Sequence, residues 1–301
     1  MLGWRVLISC VVVPLLIALF WFDSGLGRDA PVLLAFCLAV ALRCGFEISD
    51  LLKTRAMRPL AWPVMVASAL IVLSGWAHVR FAGDSPSLLT SLGWIAITFV
   101  AGFCGLLFLE AIRYQQPGNS MESLGAHLTG VIYTGGLLAV TAQFRWFPDP
   151  RIGYFAIGSM IIAVKSGDIG AYFFGRFLGK RKMAPRLSPG KTWMGAVGAV
   201  VGSSLGGTLW LIFGGSLFDA HPAVEHLWLA IVYSASLGVI GLIGDLLESL
   251  IKRDVEKKDS APLMPGFGGL LDMLDSPLFA GPFALAWWHL LPPVQLLVGD
   301  V

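Results

Sequence analysis

Acidic and basic residues at helical spacing stand out in the carboxyl-terminal half of the sequence. Asp245, Glu248, Ser249 and Lys252 recur at i, i+3, i+4 and i+7, which places them on one face of a helix. Carboxylates together with phosphate oxygens are the ligands that Mg2+ prefers, and a lysine one turn further along can meet the phosphates themselves. The spacing predicts a metal and phosphate site. The alternative is a helix end whose charged side chains reach into water.

A glycine-rich turn follows, and it leads into a helix that begins with two carboxylates. Gly266, Gly268 and Gly269 precede Asp272 and Asp275, which are spaced at i and i+3. Glycines allow a ligand to approach the backbone closely. Carboxylates in a first helical turn also stabilise the helix by themselves. Both interpretations stay open for these two residues.

A third polar face lies upstream, within an apolar stretch. Asp168, Tyr172 and Arg176 follow one another at helical spacing, and Lys165 precedes Asp168 by three residues. Inserting a carboxylate into the centre of a membrane span costs at least about 2.5 kcal/mol on insertion scales, so its presence there needs an explanation. The face either lines a polar cavity or contains an ion pair between Lys165 and Asp168 that neutralises itself.

The fourth motif is a short basic segment before another apolar stretch. Gly190, Lys191 and Thr192 have the ending of a P-loop, but Pro185 stands where that motif requires its first glycine. We therefore exclude a P-loop. A helix amino terminus with Lys191 and the hydroxyls of Ser188 and Thr192 remains, and such a terminus suits a phosphate. Taken together, carboxylates, lysines and a glycine turn indicate metal-assisted chemistry on a phosphate.

The composition indicates which elements must position these residues. Of 301 residues, 56% are hydrophobic and 13% are charged, with a mean hydropathy of +0.76. A soluble domain carries about 25% charged residues, so an ordinary globular or disordered protein is excluded. The net charge of +2 gives no indication of a nucleic-acid partner. The four cysteines lack a C-x-x-C pair, and we expect them to be packing residues.

We expect an all-α, polytopic bundle of about nine transmembrane helices that forms one membrane domain over residues 1–301. Residues 1–150 would supply mainly scaffold spans and residues 151–301 the motifs. Arg43 and Glu47 interrupt the second span, so whether it fully crosses stays open. The expected spans are residues 6–22, 31–48, 60–77, 91–109, 124–144, 153–174, 193–213, 227–247 and 277–298.

Basic loops indicate the orientation. Six lysines and arginines lie between spans six and seven without an acidic residue among them, and further groups follow spans two and eight. The amino terminus is therefore expected inside and the carboxyl terminus outside. Gly198, Gly202 and Gly206 form a tandem G-x-x-x-G on span seven, which predicts close helix packing. This small-residue face also suggests a homodimer.

The order of the motifs resembles that of the phosphatidate cytidylyltransferases, also called CDP-diacylglycerol synthases. The resemblance covers residues 165–280 most closely. It is carried by Asp168, Ala171, Tyr172, Gly175, Arg176, Gly179 and Lys180, by Ser188, Pro189, Lys191, Thr192 and Trp193, and by Ser249, Lys252, Arg253, Lys258, Asp259, Pro265, Gly266, Gly268, Gly269, Leu270, Leu271, Asp272 and Asp275.

The resemblance implies an enzyme that joins CTP to phosphatidic acid in phospholipid synthesis, releasing pyrophosphate and CDP-diacylglycerol. It implies a bacterial-type inner membrane, a site facing the cytoplasm and contact with membrane lipids. Asp245 and Asp272 would hold Mg2+, with K+ as a second cation. The implied catalytic residues are Asp245, Asp272, Lys252 and Lys191. The implied substrate-binding residues are Asp168, Tyr172, Ser188, Thr192, Ser249, Arg253, Lys258, Gly268 and Gly269.

Three positions depart from the family pattern. Phe267 replaces a histidine, Met273 an arginine and Met194 a glutamate. Because each change removes a polar group, two alternatives stay open: a transferase for another lipid phosphate and a non-catalytic lipid-binding homologue. A transporter with a relay of Lys165, Asp168 and Asp245 is a third, although the sequence lacks the repeated halves typical of transporters.

Overall fold

The structure is a computed structural model that describes residues 2–53, 59–81, 87–146, 150–218, 222–223, 226–263 and 268–296. Helices dominate it, because long apolar runs in lipid must satisfy their backbone hydrogen bonds internally. The helices are α1 (Leu2–Ser24), α2 (Pro31–Leu52), α3 (Ala61–Gly75), α4 (Ala77–Phe81), α5 (Leu88–Arg113), α6 (Ser120–Val131), α7 (Leu137–Ala142), α8 (Pro150–Leu178), α9 (Trp193–Phe213), α10 (Leu227–Asp254) and α11 (Leu270–Leu290).

The strands within the described residues are short and form two antiparallel pairs. β1 (Lys182–Ala184) pairs with β2 (Ser188–Thr192), and β3 (Pro222–Ala223) pairs with β4 (Gln295–Leu296). A π-helical turn (Ile132–Gly136) joins α6 to α7, and short 3-10 segments follow α7 and α9. The expectation of an all-α polytopic membrane protein is confirmed.

Six helical segments of the described chain are long and apolar enough to cross a membrane. They are Pro31–Leu52, Leu88–Arg113, Ser120–Trp146, Ile152–Leu178, Trp193–Phe218 and Leu227–Asp254. Shorter apolar helices cover Pro14–Ser24 and Ala61–Gly75. The second expected span is thus one continuous helix through Arg43 and Glu47, while the total of nine spans stays a prediction.

The chain forms two compact units. Unit 1 comprises Met1–Gln143 and Lys252–Leu274, and unit 2 comprises Phe144–Ile251 and Asp275–Val301. The boundary between the units therefore falls within α10 and again within α11. The expected arrangement, one domain with its motif-bearing half beginning at residue 151, stays a prediction.

Unit 1 is built around α2, α3, α5 and α6. Its core includes Cys37, Cys44 and Ile48 of α2, all buried. Cys37 and Cys44 are buried, which fits the packing interpretation, whereas Cys104 is exposed. The π-helical turn approaches α3 closely, since a Cβ on Gly135 would lie 2.6 Å from the Cα of Ser68.

Unit 2 contains a tight pair of helices, α8 and α9. A Cβ on Gly198 would lie 2.4 Å from the carbonyl oxygen of Gly170, and one on Gly202 would lie 2.4 Å from that of Ser166. The expected packing role of the G-x-x-x-G glycines is confirmed. Because α8 of the same chain occupies this glycine face, the face supplies no argument for a homodimer, which stays a prediction.

Candidate active site

The segment Ser188–Thr192 forms β2 and ends where α9 begins. Thr192 is the N-cap of α9, and its Oγ1 accepts a hydrogen bond from the backbone N–H of Gly195 at 3.0 Å. The expected helix amino terminus is therefore present. The pairing of β2 with β1 was not expected, since strands of three and five residues leave little pattern in the sequence.

Lys191 on this hairpin is paired with the first acidic residue of α10. Its Nζ lies 2.9 Å from Oδ2 of Asp245, and the Lys191 side chain is only 14% exposed. Ser249, one turn further along α10, donates from Oγ to Oδ1 of Asp245 at 3.5 Å. The structure thus brings together three of the residues that the sequence assigned to one site.

Three carboxylates of unit 2 form a compact acidic cluster. Asp245, Glu248 and Asp275 each offer an oxygen within 4.8 Å of the others, and Glu248 and Asp275 are buried. Burial raises the pKa of Asp275, Asp245 and Asp168 raise it further, and Lys165 opposes the rise. The donor set consists of hard oxygen atoms, which fits a divalent cation such as Mg2+.

Glu248 and Asp275 were not among the expected metal ligands. Each nevertheless stands three residues after an expected ligand, Glu248 after Asp245 and Asp275 after Asp272. That i, i+3 spacing is the signal in the sequence that points to them.

Asp272 lies in unit 1, where both of its carboxylate oxygens accept hydrogen bonds. Lys252 Nζ lies 2.7 Å from Oδ1, and the backbone N–H of Gly269 donates to Oδ2 at 2.7 Å. Ser260 donates to Oδ2 from its backbone N–H at 2.8 Å and from Oγ at 2.7 Å. Burial alone would raise the pKa of Asp272, but these donors outweigh it and lower the pKa. Metal binding by Asp272 stays a prediction.

The glycine turn fits closely around Asp272. Gly268 adopts φ +94°, and a Cβ at this position would lie 2.4 Å from Oδ2 of Asp272. Glycine is therefore required here both by the backbone conformation and by the available space. Pro265, Gly266 and Phe267 lie outside the described residues, while Met194 and Met273 are half-buried.

The polar face of α8 contains the ion pair that the sequence left open as one alternative, and a polar cavity on this face stays a prediction. Lys165 Nζ lies 3.1 Å from Oδ2 of Asp168 and forms the local ion pair. Tyr172 and Arg176 are exposed, the guanidinium of Arg176 contacts the Tyr172 hydroxyl, and its Cζ lies 5.8 Å from the ring centroid. Tyr172 and Arg176 thus contact each other on this face, one and two turns beyond the ion pair.

The remaining expected substrate-binding residues lie at or near the end of α10, except for Ser188 on β2. Arg253 is exposed and donates from Nη1 to the backbone carbonyl of Lys257 at 3.1 Å, and Lys258 is exposed as well. Ser249 is buried, and Ser188 on β2 is half-buried.

One buried acidic residue, Glu47 of α2, was not assigned to the site by sequence reasoning. Its carboxylate accepts hydrogen bonds from the backbone at the start of α11. Its only signal in the sequence is a charged residue that interrupts an apolar span.

Comparison with known proteins assigns this chain to a family. Residues 3–291 match the profile of the cytidylyltransferase family. The chain is 30% identical to the phosphatidate cytidylyltransferase of Brucella suis over 276 residues, which is 90% of this chain and 87% of that protein. It is 33% identical to the phosphatidate cytidylyltransferase of Bacillus subtilis over 250 residues, 83% of this chain and 87% of that protein.

A shorter match reaches a higher identity. The chain is 35% identical to the phosphatidate cytidylyltransferase of Haemophilus influenzae over 185 residues, 60% of this chain and 63% of that protein. The family profile extends over nearly the whole chain, including every motif described above. The chain therefore belongs to the cytidylyltransferase family and is a membrane-bound nucleotidyltransferase.

Proposed function

We propose that this protein is a CTP:phosphatidate cytidylyltransferase that forms CDP-diacylglycerol and pyrophosphate. Relatives with this name match 83% and 90% of the chain. The observation that carries the proposal is the pairing of Lys191 with Asp245 inside a carboxylate cluster, because a nucleotide triphosphate needs both a cation-binding group and positive side chains.

In the proposed reaction, an oxygen of the phosphatidate phosphate forms a bond to the α-phosphorus of CTP. The bond between that phosphorus and the bridging oxygen to the β-phosphate breaks, and pyrophosphate leaves with the electron pair. Lys191, Lys252 and Arg253 neutralise phosphate charge, while Ser188 and Ser249 donate hydrogen bonds. Asp168, Tyr172, Thr192, Lys258, Gly268 and Gly269 complete the proposed substrate contacts.

A divalent cation, proposed to be Mg2+, belongs to this site. The residues that would hold it are Asp245, Glu248 and Asp275, whose oxygens lie close enough to share one ion. The ion supplies charge neutralisation for the triphosphate when bound. Asp272 remains a predicted ligand, and K+ remains a predicted second cation.

We place the reaction at the cytoplasmic face of a bacterial-type inner membrane. The basic hairpin supports this side, because Lys180, Arg181, Lys182 and Arg186 are all exposed next to the end of α8. The lipid substrate is itself a component of the membrane in which the helices lie.

Purified protein in detergent, supplied with labelled CTP, Mg2+ and phosphatidic acid, should form a labelled CDP-lipid and pyrophosphate. Asp272→Asn should lower the rate by about a hundredfold or more, because it removes the charge that partners Lys252. Glu122→Gln, a change at an exposed carboxylate on α6, should retain full activity.

Three outcomes would contradict the proposal or part of it. Product formed only with an isoprenoid or ether-lipid phosphate would show that this lipid, and not phosphatidic acid, is the acceptor. Solute flux in proteoliposomes without CTP turnover would indicate a transporter. Full activity of Asp272→Asn would remove Asp272 from the catalytic residues.

A further inference from the structure

Glu47 is a buried carboxylate that the proposed reaction does not use. It lies on α2 in unit 1 and is 1% exposed. Moving an ionised carboxylate out of water is costly unless hydrogen bonds and an opposite charge compensate for it. The partners of Glu47 therefore indicate what this charge does.

The partners are the first backbone groups of α11. The N–H of Leu270 donates to Oε1 at 3.1 Å, and the N–H of Leu271 donates to Oε2 at 2.9 Å. The first N–H groups of a helix have no partner within the helix. Glu47 satisfies two of them from a different helix, and Arg43 Nη2 balances its charge at 2.9 Å from Oε1.

A serine connects Glu47 to the catalytic candidate Asp272. Ser260 Oγ lies 3.2 Å from Oε2 of Glu47 and 2.7 Å from Oδ2 of Asp272. Asp272 also accepts from the N–H of Gly269, the residue directly before the two amides that Glu47 holds. A Cβ on Gly269 would lie 2.3 Å from Oε2 of Glu47, so the turn and this carboxylate are in close contact.

We propose that Glu47 is a positioning residue for Asp272 and Lys252. By holding the first turn of α11, it sets where the Asp272 carboxylate lies and hence where Lys252 places its ammonium group. The role of Asp272 and Lys252 in catalysis rests on the proposed function, whereas the hold on the first turn does not.

Glutamine is the appropriate test residue because it preserves size and removes charge. Its single carbonyl oxygen can serve one of the two N–H groups, and its NH2 group presents donors where the backbone also presents donors. Glu110→Gln is the matched control. Glu110 is a second buried carboxylate of unit 1, and it accepts from Arg113 at 2.8 Å and Ser123 at 2.9 Å, away from α11.

The first readout is amide hydrogen exchange of the peptide covering residues 268–275, which needs no activity. In Glu47→Gln the amides of Leu270 and Leu271 should exchange about tenfold faster or more, the change expected for losing a hydrogen bond to a charged group. Glu110→Gln should leave this peptide unchanged. Unchanged exchange in Glu47→Gln would overturn the proposal.

The second readout separates kcat from KM in CDP-lipid synthesis. Glu47→Gln should lower kcat about tenfold or more, because small displacements of positioned groups are costly in catalysis. Its KM for CTP should change less. Glu47→Asp should recover part of kcat, since it restores the charge. The control Glu110→Gln should keep kcat within about twofold of that of the unmodified protein, even if its thermal midpoint falls.

The outcomes distinguish this proposal from the proposed function. Faster exchange with unchanged kcat would show that Glu47 holds the turn without serving catalysis, and would overturn the positioning role. An unmodified protein that makes no CDP-lipid would contradict the proposed function, while the exchange measurement would still test the hold on α11.

Discussion

At the residue scale, the main feature is a group of three carboxylates that repel one another, those of Asp245, Glu248 and Asp275. Two of them are buried, where like charges interact more strongly than in water. Lys191 on β2 offsets part of this negative charge through its contact with Asp245. Lys165 on α8 offsets a further part through its electrostatic interaction with Asp275. A bound divalent cation would offset more of it.

The proposed ligand set predicts how activity depends on Mg2+. Asp275→Asn and Glu248→Gln should each raise the Mg2+ concentration for half-maximal activity by about tenfold or more. Removing a residue that only hydrogen-bonds to a metal ligand already lowers metal affinity by about tenfold or more, and removing a ligand should cost at least as much. Mg2+ titration of CDP-lipid synthesis measures this, with Glu122→Gln as the control.

The same titration tests the ligand set expected from the sequence. If Asp272→Asn retains measurable activity and shifts the Mg2+ dependence while Asp275→Asn does not, the expected pair of Asp245 and Asp272 holds the metal. A shift in Asp275→Asn alone supports the cluster of unit 2.

At the scale of elements, the contact between α8 and α9 depends on residues without side chains. Carbonyl oxygens of Ser166 and Gly170 occupy the space that a Cβ on Gly202 or Gly198 would need. Close backbone approach replaces the hydrophobic driving force that is missing between helices in lipid. This contact holds the helices on both sides of the β1–β2 hairpin, which carries Lys191.

Gly198→Ala should destabilise unit 2 by about 1–3 kcal/mol, because the added methyl forces α8 and α9 apart. The thermal midpoint in detergent should fall. Gly102→Ala on α5 is the control, since a Cβ there meets nothing within 4 Å and alanine favours a helix by about 1 kcal/mol. Equal midpoints for Gly198→Ala and the unmodified protein would contradict the packing argument.

At the scale of the whole molecule, the distribution of charge determines how the chain lies in the membrane. The exposed hairpin between α8 and α9 is basic, whereas the connection between α9 and α10 contains no lysine or arginine. Lysines and arginines in short loops are retained on the cytoplasmic side. The hairpin and the end of α9 are therefore expected on opposite sides.

Single cysteines test this orientation in a chain whose native cysteines are replaced. Arg186→Cys, at an exposed hairpin position, should react with a membrane-impermeant maleimide in inverted vesicles and not in intact cells. Ser216→Cys, exposed after α9, should show the reverse. Labelling of Arg186→Cys in intact cells would contradict a cytoplasmic site.

Local patterns predicted much of the architecture. The start of α9 at Trp193 was expected, because the apolar run begins there and Thr192 is a good cap. The pairing of Lys191 with Asp245 could not be read from spacing, because the two residues belong to different elements. The full length of α10, to Asp254, exceeds the apolar run because helices continue past the membrane border on polar residues.

The amino-acid sequence by itself determined the helical membrane class, the positions of the polar motifs and the glycine contact face. These are properties of neighbouring residues, set by apolar runs and by helical spacing. Only the tertiary structure decided which carboxylates share a cluster and that Glu47 holds α11. The partners of Glu47 on α11 lie 223 and 224 positions away, and contacts of that range arise from packing, which no local pattern records.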